Sequence, residues 1–161
     1  ADPNVFVQMD TYAVKGLQTG QIQFLYAPTH LNPTYEYGVT FERGTAVTYG
    51  DRKQIFISGT ASIDNQGEIM YPGDILKQTE RMLENIDTLL QEAGGGLQDI
   101  MQAIVYLRDP ADYVVVKQYI ESRYPSFLHL IVHAPVCRPG WLIETECIAV
   151  IPADAPQYAY L

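Results

Sequence analysis

Two carboxylates stand two residues apart in Ile143-Glu144-Thr145-Glu146-Cys147-Ile148. In an extended strand residues i and i+2 share a face, so both acids point the same way and each tunes the other's titration. A partly buried carboxylate with a raised pKa donates a proton near neutrality, which makes Glu144 a candidate general acid or base. The plainer reading is an acid on a sheet face beside a basic neighbour. Ser58-Gly59-Thr60 follows a short, nearly all-apolar strand over 54–59. A glycine there lets backbone approach a ligand closely, although tight sheet packing asks for the same residue. The other reactive types are scattered. Cys137 and Cys147 are too few for a disulfide framework and read as free thiols of a reducing cytoplasm. His30, His129 and His133 form no close ligand set, so no metal and no other cofactor is expected. Gly94-Gly95-Gly96 ends a helix, where the dipole repels phosphate.

The elements that must position these residues are legible as changes of period. Alternation marks strands over 5–7, 21–26 and 40–49, the last closed by Gly50-Asp51. Ile75, Thr79, Met82, Leu83, Ile86, Leu89, Leu90 and Ala93 recur at three and four, with Asp74 as N-cap and the glycine run as stop. That predicts a helix of about five turns. Residues 100–107 read as a strand. Asp109-Pro110 starts a second helix with Tyr113, Val116, Ile120 and Tyr124 on its apolar face. Strands over 128–136 and 141–151 follow, and Arg108 is expected to anchor the start of the second helix. The fold class is α+β: one mixed sheet with two helices on one face. The other sheet face is left apolar and must meet something, most economically another copy of the chain. The expected organisation is an N-terminal segment of strands and loop over 1–39, a domain over 40–151 and a tail over 152–161.

The chain has 161 residues and a formal net charge of −9. One domain is expected, with a core large enough to fold without staples. The acidity argues against nucleic acid as a partner. No apolar run approaches the roughly 20 residues of a membrane span, and the first residues do not read as a signal peptide. A cytoplasmic location is the expectation. Tyrosine is abundant, at 12 residues. Tyr35 and Tyr37 flank a loop, and Tyr158 and Tyr160 lie in an end segment expected to tuck against a neighbour.

Ile57-Ser58-Gly59-Thr60, Gly73-Asp74-Ile75 with Gln78-Thr79 and Leu83-Glu84-Asn85-Ile86, Tyr106-Leu107-Arg108-Asp109, and Ile143 to Ala149 together resemble the Rid (reactive-intermediate deaminase, YjgF-type) family over residues 40–151. The resemblance implies a chorismate-mutase-like subunit, usually a homotrimer, with ligand sites in the clefts between subunits. It implies that Glu144 faces the cleft and handles a proton or water. Rid deaminases carry an Arg near the start of the penultimate strand; this chain reads Phe127-Leu128-His129-Leu130-Ile131-Val132-His133 instead. Phe41 stands where the family places a cleft Tyr. Ile57 to Ile63, with His133-Ala134-Pro135-Val136-Cys137-Arg138-Pro139 and Leu142-Ile143-Glu144, further resembles the C-terminal half of chorismatases. That likeness implies that Glu144 protonates an enol ether and that Cys137 helps choose the product; the plainer reading of Cys137 is a small buried thiol. Arg138 and Arg43 are then the candidates for gripping a substrate carboxylate, since a guanidinium forks onto both oxygens. Their plainer readings are a hairpin-end surface residue and a cross-strand partner of Glu42. The expectation is a protein that binds a small carboxylate with Glu144, Arg138, Arg43, Phe41, Ser58, Gly59, Thr60 and Cys137, as a chorismatase-like lyase or hydrolase. The alternatives are an imine deaminase and a non-catalytic trimeric binding protein.

Overall fold

A computed structural model describes residues 9–160. The strand expected over 5–7 lies outside the described residues. Among the described residues six strands form one mixed sheet: β1 (Ile22–Leu25), β2 (Gly44–Thr48), β3 (Arg52–Ala61), β4 (Ile100–Leu107), β5 (His129–His133) and β6 (Ile143–Pro152). Their order across the sheet is β1-β2-β3-β6-β4-β5. All neighbours are antiparallel except β4 and β5, which run parallel and are joined through a helix. Parallel neighbours need such a crossover.

The first helix, α1 (Ile75–Glu92), follows from its sequence. Asp74 caps it, accepting a hydrogen bond from Lys77 N–H at 3.0 Å. Gly94 ends it at φ +90°, a conformation that suits glycine. Met82, Leu83, Ile86, Leu89 and Leu90 are fully buried beneath it, each stabilising by about 1.5–3 kcal/mol relative to exposure. The second helix, α2 (Tyr113–Arg123), is preceded by a 3-10 turn over Pro110–Asp112 that Asp109 caps. Its Val116 and Ile120 are buried, but Tyr113 is 43% exposed and is no part of the core face.

The core lies between the helices and one sheet face, where Ile55, Ile57, Val105, Leu107, Ile143, Cys147 and Ala149 point. The opposite face carries Phe24, Phe56 and Ile148 along one line of register, which passes through Thr45 and ends on Gln102, and Glu146, Ile104 and Leu130 along another, with Glu144 beyond. No described helix covers it. Several expected strand ends shift. β2 begins at Gly44, so Phe41 and Arg43 precede the strand rather than lie on it. β3 runs through Ser58-Gly59 to Ala61 instead of stopping at Gly59. The tail docks on its own chain: Gly50 N–H donates to Ala159 O, and the Tyr160 and Tyr158 side chains lie against Gly50 and Gly20.

Candidate functional site

Glu144 stands near the start of β6, on the uncovered face. Its placement depends on an irregularity in β3. Ile57 pairs with Cys147, but Thr60 pairs with Thr145, so Ser58 and Gly59 together oppose one residue of β6. Such a bulge re-aims side chains and is frequent beside active sites. It turns the bare Cα of Gly59 under the Glu144 carboxylate, where any Cβ would collide with Oε1. The close approach expected at Gly59 is therefore made by the chain's own acid.

Glu144 is half-buried, and burial is the main cause that lifts its carboxyl above the ordinary value. The like charge of Glu146 adds to the rise; hydrogen bonds from the Cys137 backbone N–H and thiol oppose it. Cys137 is exposed, not buried as its plainer reading has it, and its thiol is raised in turn by burial of the group and by Glu144. Tyr106 lies opposite Glu144 in register. Its hydroxyl donates to Glu146 Oε1 at 2.9 Å, and burial with that acid pushes it up to about 12. The result is an acid whose protonated form is favoured by burial, beside a neighbour acid already engaged by a tyrosine.

The loop over 134–142 brings Cys137 and Arg138 to this place, and two residues the sequence did not single out for it hold the loop. Arg108 does not anchor the start of α2. Its Nη2 donates to Arg138 O at 2.6 Å and Val136 O at 2.8 Å, and its Nε to Trp141 O at 2.7 Å. Gln78 of α1, fully buried, donates to Gly140 O at 3.1 Å and accepts from Leu142 N–H at 3.0 Å. A buried glutamine on a helix's core face is a signal that some backbone lies against it. The Arg138 guanidinium lies 5.4 Å from the centroid of the Trp141 ring, and its charge acts on Cys137.

The remaining candidates divide. Ser58 donates through Oγ to Glu42 O at 2.6 Å and through N–H to Arg43 O at 3.1 Å. Thr60 is buried and donates to Ser58 O at 2.9 Å, within the bulge. Arg43 is buried; it donates to Asn32 O and Oδ1 and lies 5.4 Å from the centroid of the Phe41 ring. Arg43 and Glu42 line a cavity of about 410 Å³ under the β1–β2 loop, which Glu144 does not line. A second hollow of about 280 Å³ lies over Phe56, Ser58 and Glu146 on the uncovered face. Among the described residues no three His, Cys, Asp or Glu side chains group as metal ligands. No helix among them is long and apolar enough to cross a membrane.

Comparison with known proteins accords with this fold. The family model described as Endoribonuclease L-PSP matches residues 44–151. The 3-aminoacrylate deaminase RutC of Acinetobacter baylyi is 31% identical over 97 residues, covering 59% of this chain and 77% of that protein. A RutC family protein of Pyrococcus abyssi is 35% identical over 97 residues, covering 59% and 76%. Among solved structures, TdcF from E. coli with bound serine superposes with a TM-score of 0.65 at 21% identity, over 80% of this chain and 98% of that one. These comparisons support the Rid resemblance and lend nothing to the chorismatase-like lyase or hydrolase.

Proposed function

Because this chain belongs to the Endoribonuclease L-PSP family, which takes in the Rid proteins, we propose that it is a Rid-type deaminase hydrolysing a small enamine or imine acid. One observation carries the reading: the half-buried Glu144 carboxyl sits over the bare Cα of Gly59 at the β3 bulge, and that burial favours its acid form. The relative named as a 3-aminoacrylate deaminase supports an enamine acid as the substrate class.

The chemistry needs one group that gives and takes a proton. Glu144 in its acid form protonates the enamine carbon, and the C=N⁺ of an iminium results. Water adds to the iminium carbon, the one bonded to nitrogen, while the Glu144 carboxylate removes a water proton. Glu144 passes that proton to nitrogen; as the C–N bond breaks the hydroxyl oxygen forms C=O, its proton returns to the Glu144 carboxylate, and ammonia leaves a carbonyl acid. Arg138, carried on the loop that Arg108 and Gln78 hold, is the clamp for the substrate carboxylate. It stands in for the arginine that residues 127–133 lack. Copies of the chain packed on the uncovered face, as a trimer, enclose the site and admit the reacting water while keeping out bulk solvent. An RNA substrate fits this chain poorly, because phosphate binding needs a basic face and the net charge is −9.

Ammonia release from 3-aminoacrylate and from a 2-imino acid generated in solution tests the reading. Wild type should exceed the spontaneous rate, and Glu144→Gln should be slower by about 10²–10⁴-fold. The rate should fall as pH rises through the elevated Glu144 pKa, since the acid form starts the reaction. A wild-type rate equal to the spontaneous one sinks the proposal and leaves a binding protein.

A further inference from the structure

The loop between β1 and β2 encloses the cavity of about 410 Å³, within the roughly 300–1,000 Å³ of small-molecule sites. Every residue lining it precedes Gly44, where the family match begins. Neither Glu144, Gly59 nor Cys137 takes part in its wall. Leu31 and Pro33 make part of that wall apolar, and the Tyr26 and Tyr35 rings complete it. Those tyrosines are 56% and 77% exposed, so each leaves side-chain surface that a flat ligand can cover. Among the described residues lining the cavity, Arg43 is the only cation, and it is 5% exposed. Asn32 fixes the plane of its guanidinium, accepting from Nε at 3.3 Å and from Nη2 at 2.9 Å on its carbonyl and 3.0 Å on Oδ1. Those bonds fix the guanidinium charge in the cavity wall, where it favours an anionic group. Glu42 in the same wall weighs against a doubly charged group such as a phosphate ester.

We propose that this cavity is a ligand site separate from Glu144, taking a small carboxylic acid that carries a flat ring. The ring lies against Tyr26 and Tyr35, and the acid group meets Arg43. The site stands whether or not the chain deaminates anything, because it shares no side chain with the proposed chemistry.

Titration with 2-naphthoate, followed by its own emission anisotropy, tests the site, with 2-naphthamide as the neutral counterpart. Wild type and Glu144→Gln should bind the acid equally. Thr34→Trp puts an indole into the cavity from a half-buried position in its wall; it should lose binding while keeping the wild-type melting temperature. Arg43→Gln should weaken the acid by about tenfold or more, the worth of a charged hydrogen bond, and leave the amide unchanged. Should that buried substitution unfold the chain, the wild-type preference for acid over amide carries the same test, and equal affinities overturn the proposal. No saturable binding by wild type overturns it too. So does binding that Glu144→Gln removes and Thr34→Trp keeps, which would place the ligand at the other site.

Discussion

At the scale of single residues, the proton on Glu144 has a thermodynamic counterpart. The folded carboxyl titrates above its unfolded value, so the folded state holds the proton more tightly. Stability from this group is therefore fully present below the unfolded pKa and is lost as pH rises through the folded one. Glu144→Gln keeps the shape and removes the titration. The variant should melt higher than wild type at pH 8, with the gain closing as pH falls toward the ordinary glutamate range. Melting curves across pH check this; a variant less stable than wild type at pH 8 would show that the carboxylate is better satisfied than its burial implies. The acid itself was legible in the sequence, because an i, i+2 pair in a strand shares a face. What lies under it was not. The bulge at Ser58-Gly59 is a matter of register between strands far apart in the chain, and neither period nor composition records register. The same holds for Arg43, whose partner Asn32 sits in an irregular loop.

At the scale of elements, periodicity did well where an apolar stripe faces the core. The span of α1 and its Asp74 cap follow from residues three and four apart, and β4 has the expected ends. It failed where strand ends are set by pairing: β2 is half the expected length, since only Gly44–Thr48 find partners in β3. It also failed for the 134–142 loop, since a loop is defined by what holds it. Arg108 holds that loop by three hydrogen bonds to carbonyls, and each bond from a charged donor contributes about 1.5–3 kcal/mol. Part of this is returned to water, because Arg108 is only half-buried. Arg108→Met should cost about 2–3 kcal/mol in denaturant unfolding. It should also lower turnover, through Cys137 and Arg138, more than it lowers binding in the β1–β2 cavity. Unchanged stability and turnover would mean that Gln78 alone fixes the loop.

At the scale of the molecule, the sheet face that no described helix covers, and on which Tyr12 lies against Phe56, is the one that faces outward among the described residues. Phe24, Phe56 and Ile148 stand along one line across the sheet and Ile104 and Leu130 along another, and apolar faces of this kind mark interaction surfaces. Sedimentation should show wild type at the mass of three chains and Phe56→Glu at the mass of one. A wild-type monomer at micromolar concentration would remove the shared cleft from the deaminase proposal. The order of the strands has one more effect, on how the chain reaches its fold. β6 is the last strand in sequence but sits in the middle of the sheet, between β3 and β4. Long-range pairing of this sort slows folding, because loop closure must precede the contacts that reward it. During synthesis the earlier strands and α1 emerge as two half-sheets with open inner edges, β3 on one side and β4 on the other. Neither half can close until residues 143–152 leave the ribosome. A stalled or truncated chain is thus left with two unpaired apolar strands, and it is these nascent species, more than the finished protein, that call for chaperone protection.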